Sequence, residues 1–239
     1  MSRRYAMEPT MKKEKLMPEN ALEGIAGVRL EPLCSLHLNV SFGYEVLSLL
    51  APGVNTEHFF RIITPDKSVA LFIHQVRFIR TLFNSGIYTF NLPAGVLVSE
   101  RLFKSVCTEL ISGCVIEIQD PETIMFMGGA ERRLLINNIL DMKKRGVDIW
   151  LDDITPEMVD FFLALKLPVE GVKTDRKVLD QIPENGDGLR LFVKKCTRLA
   201  PLVVVEGIET EQMKYRAQNA GALAGQGFLW PERSYLYLQ

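Results

Sequence analysis

The chain has 239 residues, enough for one domain of barrel size and too few for two ordinary domains. With 47% hydrophobic and 24% charged residues it can bury a substantial core, which excludes disorder over most of its length. The 28 Lys and Arg nearly balance 29 Asp and Glu, so the net charge of −1 excludes a global pull toward nucleic acid or an anionic membrane.

Residues 1–24 read as a flexible leader and 25–239 as one domain. The leader carries Arg3, Arg4, Lys12, Lys13 and Lys15 among Met1, Met7, Met11 and Met17, but has no apolar signal-peptide core. No function is assigned to it. No later run is long enough to span a membrane, and a cytoplasmic protein is expected.

From Val28 onward, short runs rich in β-branched and apolar residues alternate with helical patterns. That alternation is the mark of strands joined by crossover helices. The expected strands are Val28 to Leu36, Val40 to Leu49, Ile87 to Leu92, Cys114 to Gln119, Asp148 to Asp153, Glu170 to Asp175, Leu202 to Glu206 and Leu223 to Leu229. So few residues join the first two that they form an antiparallel pair. Apolar residues at three- and four-residue spacing predict helices over Lys67 to Phe83, Val98 to Ile111, Ala130 to Arg145, Pro156 to Leu165, Lys177 to Arg198 and Thr210 to Ala220. Turn chemistry at Pro183 to Gly188 divides the fifth of these. The expected fold is α/β, a modified TIM-type (β/α)8 barrel with one antiparallel strand.

Cys34, Cys107, Cys114 and Cys196 include no C-x-x-C pair, which argues for reduced, idle thiols. His37, His58 and His74 are scattered and suggest no triad. Phe78, Phe83 and Phe90 read as core, and Phe161, Phe162 and Leu165 as a stripe packed mostly on the barrel. Ser234 to Gln239, with Tyr235 and Tyr237, reads as a last strand-covering segment in preference to an interface.

Polar groups sit on or at the ends of most strands: Glu45, Asn91, Glu117, Asp152 with Asp153, Lys173 with Asp175, Glu206 and Gln226. Each acid alone is more often a cap or a surface charge. Asp120 ahead of Pro121, for example, reads as an N-cap. Gathered at one barrel mouth, however, oxygen ligands are what Mg²⁺ or Mn²⁺ requires.

In chain order these segments resemble the EAL domain, the bacterial cyclic-di-GMP phosphodiesterase fold. Gly43-Tyr-Glu45-Val-Leu47 is similar to the signature, Asn91-Leu-Pro93 to Asn-x-Ser, Glu117-Ile-Gln-Asp120 to Glu-x-Thr-Glu and Leu151-Asp152-Asp153 to the start of Asp-Asp-Phe-Gly-Thr-Gly. Lys173-Thr-Asp175 matches Lys-x-Asp, Val205 to Thr210 matches Ala-Glu-Gly-Val-Glu-Thr, and Gln226 to Pro231 matches the closing Gln-Gly segment. The resemblance implies metal ligands at Glu45, Asn91, Glu117, Asp152, Asp153, Asp175 and Glu209, and catalytic positions at Glu45, Lys173 and Glu206. Lys173 would orient water, and Gln226 would support substrate or water.

The departures concern substrate. The family's phosphate-binding arginine is Leu49 here, the Phe-Gly-Thr-Gly loop is Ile154-Thr155-Pro156-Glu157, Ser is Pro93, and Thr-Glu is Gln119-Asp120. Leu49 supplies neither charge nor a hydrogen bond, a loss of about 1.5–3 kcal/mol. Thr155 reads as an N-cap and Pro156 as the first helical residue, so that a glycine loop becomes a rigid turn. The expectation is a non-catalytic regulator acting through a protein partner, FlhD/FlhC by family analogy. It would be monomeric, would require no cofactor, and would make no contact with nucleic acid or membrane. The alternatives are an Mg²⁺- or Mn²⁺-dependent phosphodiesterase and a receptor that binds cyclic di-GMP without cleaving it. The length leaves no room for a sensor domain, so the domain is expected to act alone.

Overall fold

The structure, a computed structural model, describes residues 23–82, 86–183 and 186–237. The leader up to residue 22 and Phe83 lie outside the described residues. The elements run β1 (Ile25–Ser35), β2 (Ser41–Leu50), α1 (Thr56–Ile62), α2 (Pro65–Ile79), β3 (Ile87–Leu92), α3 (Ala94–Leu97), α4 (Glu100–Cys107), β4 (Val115–Ile118), α5 (Pro121–Phe126) and α6 (Gly129–Lys144). They continue with β5 (Asp148–Ile154), α7 (Val159–Leu165), β6 (Gly171–Thr174), α8 (Val178–Gln181), α9 (Gly188–Cys196), β7 (Leu202–Val205), α10 (Glu211–Asn219), β8 (Ala224–Gly225) and β9 (Arg233–Leu236).

Strands β2 to β8 pair in parallel succession, and β1 lies antiparallel between β8 and β2, closing an eight-stranded barrel. The short β1–β2 connection forces the antiparallel pairing, as its length predicts, and Asn39 takes the left-handed conformation the turn needs (φ 53°). β9 adds to the outside of β1, pairing Gly27 with Leu236 and Leu30 with Arg233. The C-terminal segment is therefore a ninth strand. Tyr235 is buried, packs edge-on to Phe78 and helps seal this wall.

Helix α2 shows how the outer layer forms. Thr64 caps it through Lys67 N (3.3 Å), Pro65 occupies the first turn, and Ser68, Val69, Leu71, Phe72, Gln75, Val76 and Ile79 make its buried face. Phe72 meets Phe90 of β3 edge-on, and both are fully enclosed. Phe162 is buried as the α7 stripe predicts, while Phe161 is half-buried and lies beneath the Arg132 guanidinium. A second, smaller apolar cluster, made of Leu33, Val115, Trp150, Val204 and Ala224, takes one residue from each of β1, β4, β5, β7 and β8. All four cysteines are free, and Cys34, Cys114 and Cys196 are buried.

Several boundaries differ from the sequence reading. The span Val98 to Ile111 contains only α4, and the preceding turn α3 starts at Ala94. The eighth strand shrinks to Ala224–Gly225, because Gln226 onward turns over Ile208 instead of continuing in the sheet. Helix α7 starts at Val159, not Pro156. A turn closed by Met158 N donating to Thr155 O precedes it, and Thr155 makes no N-cap. Thr155 instead interacts with Glu157, whose carboxyl it holds below the usual range. Asp120 does precede α5, but its carboxylate reaches across to accept from Ala94 N at 2.6 Å. Among the described residues no helix is long and apolar enough to cross a membrane.

Candidate functional site: an acid cluster around a buried lysine

The polar residues expected at the strand ends converge at the C-terminal mouth of the barrel. Parallel register sets Glu45 beside Thr89, Asn91 beside Glu117 and Lys173 beside Val204, so side chains far apart in sequence point into one space. Lys173 is its hub. The residue is 1% exposed, and its Nζ lies 2.9 Å from Glu45 Oε2, 2.9 Å from Glu117 Oε2, 3.3 Å from Asp152 Oδ1 and 2.6 Å from Glu206 Oε1.

Two amides complete the inner ring around Glu45. Asn91 Nδ2 donates to Glu45 Oε1 at 2.5 Å, and Gln226 Nε2 donates to Glu45 Oε2 at 2.7 Å. Burial alone would raise the Glu45 carboxyl, but the Lys173 charge and the donors from Lys173, Gln226 and Asn91 outweigh it and hold Glu45 below the ordinary range. The neighbours lack that support. Burial pushes Glu117 up to about 8, with Glu45 and Asp152 adding repulsion that Lys173 only partly offsets. Burial likewise raises Asp152 and Glu206. Burial also works against the Lys173 charge, but the surrounding carboxylates Asp152, Glu117, Glu206 and Glu45 reverse that and keep its ammonium protonated.

The remaining candidates lie further out. Asp153, exposed near the end of β5, adopts φ 50°, and its N–H donates to Asp152 Oδ1 at 3.0 Å. Desolvation first, then the nearby Asp152 and Asp175 charges, push its carboxyl up to about 7. Asp175 follows β6, is half-buried and caps the turn to α8 by accepting from Lys177 N at 2.7 Å. Glu209 is exposed ahead of α10 and is not in the acid groups described next.

Two groups of acids are close enough to hold an ion: Glu45 with Glu117 and Asp152, and Asp152 with Asp153 and Glu206, the facing oxygens within each lying no more than 4.8 Å apart. They share Asp152, an arrangement suited to neighbouring divalent ions. Asn91 Oδ1, Glu117 Oε1 and Gln226 Oε1 are buried acceptors without a hydrogen-bond donor, and a cation would satisfy them. The residues therefore fit a metal.

Beside the cluster lies a cavity of about 210 Å³, reaching from Asn91, Gln119 and Asp152 to Leu47, Phe60, Ile63 and Phe72. A second, of about 220 Å³, shares Leu47, Ser48 and Phe60 with it and is walled by Leu49, Leu50, Ala51, Val54 and Arg29. Sequence reasoning missed α1, which supplies Phe60 to both. Its signals were Asn55, whose side chain caps the helix through His58 N, and the adjacent Phe59-Phe60 pair. Sequence reasoning also missed Arg29, which lies 3.5 Å from Glu232 and 3.9 Å from Glu31.

The sequence matches the EAL domain family over residues 32–232. Among solved structures, the PaMucR phosphodiesterase in complex with c-di-GMP superposes with a TM-score of 0.69 at 21% identity, covering 88% of this chain and 96% of that one. The Klebsiella pneumoniae BlrP1 manganese/cy-diGMP complex gives 0.67 at 16% identity, over 90% of this chain and 59% of that one. The EAL-like domain protein YdiV gives 0.65 at 15% identity, over 88% and 94%. No curated protein matches by sequence.

Proposed function

The chain belongs to the EAL domain family, and from that premise we propose that it is a regulatory member that acts by binding a protein rather than by cleaving cyclic di-GMP. The observation that carries the reading is the wall of the mouth at the end of β2. Where the family pattern has a phosphate-binding arginine, Leu49 lines a cavity with Leu47, Leu50, Ala51, Val54 and Phe60. The arginine of that wall, Arg29, is flanked by the carboxylates of Glu31 at 3.9 Å and Glu232 at 3.5 Å, which offset its charge. A second support is the turn Thr155 to Met158, which joins β5 to α7 with no glycine and is closed by a backbone hydrogen bond.

The acid cluster is retained. Glu45, Asn91, Glu117 and Asp152 would hold one divalent ion, and Asp152, Asp153 and Glu206 a second. Bound there, such ions supply Lewis acidity toward a phosphoryl oxygen and lower the pKa of water. The chain's own contribution is to fix the acids. Lys173 ties four strand ends together, and Asn91 and Gln226 orient Glu45 from either side. In this reading these residues hold the mouth together, with or without metal, and the outer surface meets the partner.

Of the solved structures above, YdiV bears the description EAL-like, and regulation without turnover fits a chain whose acids are kept and whose substrate wall is apolar. The flagellar master regulator FlhD/FlhC is the partner proposed by analogy with the anti-flagellar EAL-like regulators. The full chain is expected to co-elute with purified FlhD/FlhC in size-exclusion chromatography and to lower the complex's affinity for its DNA at least tenfold. Separate elution with unchanged DNA binding would reject this partner.

A further inference from the structure

The cavity of about 220 Å³ at the end of β2 stands apart from the acid cluster, since none of Glu45, Glu117, Asp152 and Glu206 lines it. Its walls are mostly apolar, with Leu47, Leu49, Leu50, Val54 and Phe60 among them, and Arg29 is its one charged lining residue. Arg29 is also where buried polar groups go unanswered. In register it stands between Leu47 of β2 and Ser234 of β9. Its Nε and the Ser234 Oγ are both buried, and neither has a hydrogen-bond partner among the described residues. A buried donor left unmatched is costly, and a molecule that brings an acceptor to it recovers the loss.

The charge around Arg29 selects the kind of acceptor. Its two terminal nitrogens face Glu232 at 3.5 Å and Glu31 at 3.9 Å, so one cation already stands against two carboxylates. A phosphate or carboxylate would add a third negative charge, whereas a carbonyl oxygen accepts from Nε without one. Size sets the rest of the molecule. The cavity is smaller than the roughly 300–1,000 Å³ of drug-sized sites, which suits a body of one ring or a short chain.

We infer that this cavity binds a small neutral carbonyl compound, an amide, ester or lactone with an apolar body. Its oxygen accepts from Arg29 Nε, and its body lies against Leu49, Val54 and Phe60. The inference goes beyond the regulatory reading and stands without it, because it concerns a ligand and neither turnover nor a protein partner. Benzamide and benzoate, which share a ring and differ in charge, test it on the full chain with isotope-labelled Leu and Val methyl groups. Benzamide is expected to give saturable NMR shifts at Leu47, Leu49 and Val54. Leu38 and Leu223, ahead of β2 and β8 at the opposite end of the barrel, should not move. Benzoate at the same pH should bind at least tenfold more weakly. Arg29→Lys, which keeps the charge but removes the Nε donor, should weaken benzamide at least fivefold, and Ala51→Phe, which fills the cavity, should abolish the shifts. Absence of saturable shifts, as for a cavity that takes only water, overturns the proposal. So does benzoate binding as tightly as benzamide, or shifts that survive either substitution unchanged.

Discussion

At the scale of single residues, Lys173 organises the site. Within a 1% exposed position it satisfies four carboxylates, and removing one partner of such a set leaves charge buried without compensation. Lys173→Met is expected to cost about 3–5 kcal/mol at pH 8, measured by urea unfolding, with much of the loss recovered at pH 5. Recovery follows from the direction of the shifts. Glu117 sits near 8 when folded, above its ordinary 4.5, so the folded state holds more protons between those values. The Glu117 contribution is complete below about 4.5 and is lost as pH rises through about 8, whereas that of Glu45, whose carboxyl is lowered, is lost only in acid. Metal-free wild-type protein should therefore lose stability from pH 5 to pH 9. Glu117→Gln should flatten that slope, and an unchanged slope would count against Glu117 as its source. The members of this cluster were legible in the sequence, because each lies on or at the end of a strand run. Lys173 as the common partner was not, since only closure of the barrel brings Glu45 and Lys173, 128 positions apart, to 2.9 Å.

At the scale of elements, the strand that presents Lys173 depends on a missing side chain. A Cβ at Gly171 would meet the Trp150 ring at 2.6 Å, so β6 approaches β5 only because residue 171 has none. Gly171→Ala is expected to destabilise by about 1–3 kcal/mol through overpacking of the barrel interior. Gly95→Ala, in the open turn α3 where nothing lies within 4 Å, should be neutral or slightly stabilising. Thermal unfolding of the two variants compares them directly, and equal effects would contradict the packing account. Element by element, the sequence pattern located most strands and helices, since buried parallel strands are continuous apolar runs bounded by turns. It missed α1, which is too short for periodicity to register, marked only the start of α5 through Asp120 and Pro121, and placed the start of α7 too early. There Pro156 and Thr155 make a turn, not a cap. It also read Tyr235 as a covering residue without its pairing partner, because β9 meets β1 across nearly the whole chain.

At the scale of the molecule, closure of β1 between β8 and β2 turns seven parallel strand ends into one mouth with two chemically distinct sides. One side is the acid ring around Lys173; the other is the apolar wall of Leu47, Leu49 and Phe60. The first side groups acids as a divalent ion needs, and on the second Leu49 stands where the family pattern has its phosphate-binding arginine. The sequence made this division readable through Leu49, while the cavities behind it, shaped by α1, became visible only in three dimensions. In the proposed reading the acids persist without substrate turnover. Its most direct test incubates the full chain with cyclic di-GMP and Mn²⁺ and follows linear dinucleotide by chromatography. No product above a no-protein control is expected; product formation that Glu45→Ala abolishes would overturn the regulatory reading.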